Sequence, residues 1–154
     1  YITYLMKIII NKFLVLENIQ DSLENIKASY KLYKTRPKYH LISAEKTLKY
    51  VDHVKFVKKN PYRKWFIIKL NKESIGTVYF TPENSIGYYI LDKYIKYTKV
   101  IFLKLLTEIK PLPKKLSVNQ KNFTINISPR NKKYEKIINA MGGKIIQKTF
   151  LFNN

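Results

Sequence analysis

The chain switches between stretches where apolar residues recur every three or four positions and stretches where they alternate or run together. The first pattern marks one face of a helix, the second a strand. Residues 12–16, Lys-Phe-Leu-Val-Leu, read as a strand. Leu23, Ile26, Tyr30 and Tyr33 then recur at helical spacing. With Asp21 as N-cap and Glu24 three residues later, this predicts a helix over 22–33 that Arg36-Pro37 breaks. Ser43 caps a second helix carrying Leu48, Val51, Val54 and Val57, and Asn60-Pro61 ends it. The period changes at Trp65-Phe66-Ile67-Ile68, a run too short for a helix and rich in strand formers. Polar turns at 71–74 and 82–84 separate it from strands over 75–81 and 86–91, so the three form an antiparallel meander. A third helix is predicted over 94–109, with Thr98, Phe102, Leu105, Leu106 and Ile109 on one face and Pro111 and Pro113 beyond it. Residues 123–128 alternate with period two. A fourth helix over 131–141 places Tyr134, Ile137, Ile138 and Met141 on one face, Gly142-Gly143 stops it, and 144–152 reads as a last strand.

This order defines an α/β (α+β) chain with a mixed, mostly antiparallel central sheet flanked by about four helices. Its 154 residues suit one core. Residues 1–11 read as an N-terminal extension or the start of the first strand, and 12–152 as a single domain. Met6 can serve as a start, which would make 1–5 an upstream extension. The apolar opening is interrupted by Lys7 and Lys12 and lacks a small-residue cleavage site, so it does not read as a signal peptide. No stretch reaches the roughly 18 to 20 apolar residues of a membrane span.

Composition changes the picture in two respects. The net charge is +20, which favours an anionic partner such as nucleic acid or a phosphate-bearing ligand. Yet all basic residues but Arg36, Arg63 and Arg130 are Lys, and Ile, Lys, Asn, Tyr and Phe make up over half the chain, as AT-rich coding produces. Base and phosphate recognition prefers the Arg fork, so the charge alone is a poor argument for nucleic acid. The chain has no Cys, which excludes disulfides and Cys-based zinc sites. His40 and His53 have no carboxylate pattern beside them and read as surface or packing residues, with no metal site.

Ile75-Gly76 and Ile86-Gly87 open the second and third meander strands, and Gly142 follows Asn131 by eleven residues. In these features and in its element order the chain resembles the GNAT acyltransferase superfamily, over about residues 12–152. A strand glycine is costly and calls for a bulge or a close backbone approach. Within the superfamily, Ser43-Ala44-Glu45-Lys46 and Tyr62-Arg63-Lys64-Trp65-Phe66 look like the amino-sugar N-acetyltransferases of nonulosonate biosynthesis, whose common His falls near Thr47.

The resemblance implies a cytoplasmic, acetyl-CoA-dependent N-acetyltransferase acting on a primary amine of a small molecule, such as a nucleotide-linked amino sugar. Acetyl-CoA, the co-substrate, would lie where the third meander strand splays from the strand at 123–128. Backbone groups of Tyr89, Ile90 and Leu91 would pair with its pantetheine arm, with Asn131 at the same cleft. Lys96, Tyr97, Thr98 and Lys99 would meet its pyrophosphate. The chain departs from the family pattern at three points. The segment before the third helix has no glycine to form an N–H cradle. The position of the family's acidic Tyr is Ile138, which leaves Tyr134, one turn earlier, as the catalytic acid. Gly143 replaces a usual Phe. Tyr79, Tyr88 and Tyr89 are candidates to line an acceptor pocket, and Glu45 and Glu83 are the nearest carboxylates. Two further readings stand beside the enzyme: a GNAT-like module without catalysis, and a basic nucleic-acid-binding protein.

Overall fold

The computed structural model describes residues 7–41, 48–116 and 121–152. Among these residues six strands form one sheet in chain order: β1 (Lys7–Ile9), β2 (Leu14–Asn18), β3 (Lys64–Leu70), β4 (Glu73–Phe80), β5 (Ser85–Ile90) and β6 (Thr124–Ile125). All neighbours are antiparallel except β5 and β6, which are parallel. Among the described residues four α-helices accompany it: α1 (Leu23–Thr35), α2 (Tyr50–Lys58), α3 (Thr98–Glu108) and α4 (Lys132–Ala140).

The sheet separates two apolar layers because strand side chains alternate between faces. Leu14, Leu16, Phe66, Ile68, Val78, Phe80, Ile86 and Ile90 pack with Ile101, Phe102 and Leu105 of α3 and Tyr134 of α4. On the other face Ile67 and Tyr89 pack with Ile26 and Leu32 of α1 and Val57 of α2. Phe66, Ile67 and Ile68 are all fully buried. The unbroken apolar run at 65–68 thus marks a central strand covered on both sides. At Gly76 a Cβ would run into the Tyr89 carbonyl across the β4–β5 ladder. This is the close backbone approach that the strand glycine signalled.

Several sequence expectations shift in detail. Ser22, not Asp21, caps α1, its Oγ accepting from the Asn25 N–H at 3.0 Å. Asp21 instead closes a 3-10 turn. The buried face of α1 is Asn25, Ile26, Ser29 and Leu32, while Leu23 lies exposed. The α2 cap expected at Ser43 lies outside the described residues. The α2 face is carried by His53 and Val57, with Leu48 and Val51 exposed. In α3 Ile101 takes the buried place expected of Leu106. That helix also begins later than its pattern suggests, because residues Asp92–Tyr97 wind as a 3-10 helix that runs into it.

The largest correction is at the C-terminus. Residues 144–152 form no strand, and Ile145, Ile146, Phe150, Leu151 and Phe152 are exposed. Before them α4 ends in a Schellman turn. Gly142 sits at φ +91°, the Gly142 N–H donates to the Asn139 carbonyl, and the Gly143 N–H donates to the Ile138 carbonyl. The edge strand β6 is only two residues long, too short to template a strand of nine.

His53 is buried between α1 and the sheet, its Nε2 at 2.8 Å from Ser29 Oγ. Burial lowers its affinity for a proton, and burial does the same to His40. The unfolded chain binds these protons near pH 6.5, whereas the folded chain resists them. Stability is therefore full above about pH 6.5 and falls as the pH drops below that value toward the folded-state pKa values. Thermal melts between pH 7.5 and 5 are expected to show this decline, with a shallower slope in His53→Gln. A melting temperature independent of pH across that range contradicts it.

Candidate active site

β5 and β6 pair only at Ser85 with Thr124 and at Ile86 with Ile125. The strands then part while β5 runs on to Ile90. In antiparallel pairing, alternate residues turn their backbone groups to opposite neighbours. The Leu91 N–H is spent on the Ile75 carbonyl of β4, and the Tyr89 carbonyl lies against Gly76. Of the three residues expected to offer backbone groups to a ligand, only Ile90 turns both its N–H and its C=O toward the gap.

Tyr134 fills that gap. Its hydroxyl accepts from the Ile90 N–H at 2.8 Å and donates to the Ile90 carbonyl at 3.4 Å. The ring comes from the first turn of α4 and is 3% exposed. Burial raises its pKa well above the ordinary phenol value, so the hydroxyl keeps its proton. Tyr88 lies beside it, 5.6 Å between ring centroids. The Tyr88 hydroxyl is 3.0 Å from Thr98 Oγ1. What remains of the wedge is a cavity of about 10 Å³ bounded by these residues, Phe102 and Ile125, enough for one water.

The expected pyrophosphate segment is built differently from a cradle. Thr98 is buried and its hydroxyl faces Tyr88. The Thr98 N–H donates to the Ile95 carbonyl, and the Tyr94 N–H to the Leu91 carbonyl. The amides are thus drawn into the 3-10 helix, with Asp92 in its first turn. Lys96 and Lys99 are exposed, and Lys96 Nζ lies 5.3 Å from the Tyr97 ring centroid. These residues supply charge without directional N–H donors.

Sequence reading missed the cluster at the end of β5. Asp92 accepts from the Tyr39 hydroxyl and from Lys133 Nζ, the latter at 3.0 Å. Burial works to raise its carboxyl, but these two donors outweigh it and hold the group below the usual range. The same hydrogen bond pushes Tyr39 up to about 12. His40 is wedged edge-on between Tyr89 and Tyr134, at 5.1 and 4.7 Å between centroids. Asn131 caps α4, its Oδ1 accepting from the Tyr134 N–H at 3.2 Å, while its Nδ2 lies 3.1 Å from His40 Nδ1. Arg130 Nη2 donates to the Lys38 carbonyl at 3.2 Å, fastening the turn that carries His40 to the start of α4. The signal for this cluster was present but faint: a carboxylate immediately after a predicted site strand, and one of only two histidines just past a helix break. Tyr79 lies elsewhere, stacked on Tyr62 at 3.9 Å. Glu45 lies outside the described residues. Among the described residues no group of three or more His, Cys, Asp or Glu could hold a metal ion, and no helix is long and apolar enough to cross a membrane.

A mostly antiparallel sheet that opens between one parallel pair, with helices on both faces, is the fold of the GNAT acetyltransferases. The chain is similar to a microcin C7 self-immunity acetyltransferase in complex with acetyl-CoA and AMP, at TM-score 0.62 and 18% identity over 86% of this chain and 79% of that one. It is also similar to the RimL ribosomal L7/L12 alpha-N-protein acetyltransferase in complex with coenzyme A (TM-score 0.61, 14% identity, 88% and 82% covered). A third likeness is to a Salmonella typhimurium acetyltransferase that modifies the N-terminal serine of L7/L12 (TM-score 0.53, 17% identity, 67% of each chain). No protein-family model and no curated protein matches the sequence.

Tyr134→Phe removes the partner of two buried backbone groups at once. An unfolding free energy lower by about 1–3 kcal/mol is expected in urea denaturation. An unchanged midpoint would show that the Ile90 edge is satisfied without the hydroxyl.

Proposed function

We propose that the protein is an acetyl-CoA-dependent N-acetyltransferase whose acyl group binds at the Ile90 edge of β5. The observation that carries this reading is the outward-turned N–H and C=O of Ile90, capped by one side-chain hydroxyl in a gap between parallel strands. Such a pair of backbone groups suits an amide-bearing arm, which offers a carbonyl and an N–H in return. The acyl end of acetyl-CoA fits this chain. The pyrophosphate end fits through charge alone, from Lys96 and Lys99.

Acetyl-CoA supplies the activated thioester. The neutral nitrogen of an acceptor amine forms the new bond to the carbonyl carbon, the carbon–sulfur bond breaks, the amine proton passes to solvent water, and the leaving thiolate takes up a proton whose donor is restored from solvent. Tyr134 is the side chain placed to give that proton, because its hydroxyl is protonated and stands on the Ile90 edge. Ile90 and Asn131 position, Ile90 through its backbone and Asn131 through the start of α4. Tyr134 must release the Ile90 N–H for a ligand to take it, so binding and opening of the wedge are coupled.

The acceptor is a primary amine. Asp92, 38% exposed at the mouth of the gap, provides the negative charge that would draw an ammonium group to it. A small-molecule amine such as a nucleotide-linked amino sugar fits this reading, and so does a protein N-terminus of the kind named for two of the similar structures. The wound 3-10 segment favours a second reading, a GNAT-fold module that has lost the cofactor.

Calorimetric titration of acetyl-CoA at two salt concentrations separates the two. Micromolar binding that weakens as salt rises is expected for a phosphate site made of exposed lysines. Absence of binding in a protein that still melts cooperatively would reject the enzyme in favour of the module. In the presence of an amine acceptor, Tyr134→Phe is expected to lower kcat by roughly 10²–10⁴-fold with acetyl-CoA still bound.

A further inference from the structure

His40 has two ring nitrogens in opposite situations. Nδ1 faces Asn131 Nδ2 at 3.1 Å. Among the described residues Nε2 has no hydrogen-bond partner, and the side chain is only 4% exposed. The Asp92 Oδ1 atom lies 3.8 Å from it, beyond hydrogen-bond range.

The tautomer follows from the helix cap. Asn131 must turn its oxygen toward the Tyr134 N–H to cap α4. Its NH₂ group is then the end that meets His40, and an NH₂ group only donates. Nδ1 must therefore accept, and the one proton of a neutral imidazole sits on Nε2. The lone pair that a base needs is already occupied. The surroundings hold the ring neutral. Burial disfavours the imidazolium, Arg36 and Lys133 repel it, and only Asp92 favours it. Among the described residues the other titratable groups against the ring, Tyr39, Tyr89 and Tyr134, are phenols. A buried N–H without an acceptor costs free energy, and the ring that carries this one packs edge-on against Tyr134 at 4.7 Å between centroids, the side chain that a ligand must displace from Ile90.

We propose that His40 is a neutral hydrogen-bond donor rather than a base, and that its acceptor is the carbonyl oxygen of the bound acyl group. This rests on the acetyl-CoA reading above. His40 is then the side-chain donor for the charge that develops on that oxygen, beside the Ile90 edge that takes the amide-bearing arm. Asn131 is a positioning residue that sets which nitrogen donates.

Long-range ¹H–¹⁵N NMR of the full chain tests this in two stages. In the free protein at pH 7, His40 is expected as the Nε2–H tautomer, titrating below its ordinary value. In Asn131→Asp, which keeps a capping oxygen, a carboxylate faces Nδ1, and the ring is expected to protonate there with a raised pKa. An Nδ1–H tautomer or an imidazolium in the free wild type overturns the proposal. Coenzyme A and a ketone analogue of acetyl-CoA, with CH₂ in place of the thioester sulfur, are then titrated in turn. The analogue is expected to move the His40 Nε2–H downfield and coenzyme A to leave it in place. If both bind and affect it equally, the donor role fails while the acetyl-CoA reading stands. If calorimetry shows that neither binds, both fail together.

Discussion

A parallel strand pair that ends after two residues leaves backbone groups of the longer strand facing a gap inside the protein. An unpaired, buried N–H or C=O is expensive, so something must occupy that gap. Here the occupant is the Tyr134 hydroxyl, which serves both Ile90 groups at once. The rest of the site follows from placing that ring. Tyr134 needs the first turn of α4 at the strand gap, the turn needs its cap, and the cap is Asn131. Asn131 in turn orients His40, and Arg130 beside it pins the turn from which His40 projects. A secondary-structure requirement thus propagates through four side chains into a chemical one.

The same arrangement couples stability to access. Tyr134 is a core residue by burial and an edge residue by hydrogen bonding. Its ring packs with Tyr88 and His40 while its hydroxyl substitutes for a missing strand. Because the wedge beside it holds no more than a water, entry of a pantetheine-sized arm requires the ring to move. The cost of uncovering Ile90 is repaid only by a ligand that offers its own donor and acceptor there. On the proposed function, that would favour amide-like groups over purely apolar ones.

The four helices and the meander were legible because they rest on period, whereas the separate first strand β1 was not. Runs such as 65–68 and 123–128 are short and β-rich, and the helices carry apolar stripes. Tyr134 was singled out too, one turn before Ile138, and it lies buried with its hydroxyl on the Ile90 edge. What periodicity cannot express is which residue of a stripe meets which neighbour. Leu23, Val51 and Leu106 obey helical spacing, yet the helices are rotated so that Ser29, His53 and Ile101 are buried in their place. The last strand failed for a related reason. Residues 144–152 have strand composition, but a strand needs an edge to pair with, and β6 spans only two residues. His40 and Asp92 became a site only through contacts across about ninety and forty residues of chain, from Asn131 and Lys133 respectively. No local pattern encodes these contacts.

The segment 92–99 shows how fold and site separate. The fold asks only that β5 be followed by a helix packed on the sheet, and Thr98, Ile101, Phe102 and Leu105 meet that demand. A glycine-rich entry would leave N–H groups free for phosphates. Tyr, Ile and Thr instead carry side chains that favour burial, and the backbone winds into a 3-10 helix whose amides bond internally. The buried Thr98 hydroxyl joins Tyr88 and through it the wall of the wedge, so the segment has been recruited to the core. Any phosphate recognition must then pass to Lys96 and Lys99 at the surface. A lysine acts as a hydrated point charge without a fixed direction, so this chain would trade geometric capture of the phosphates for long-range attraction. A net charge of +20 amplifies that attraction. Binding would then rest on the acyl end for its geometry and on the lysines for its strength, which assigns specificity to the Ile90, Tyr134 and His40 end of the cleft.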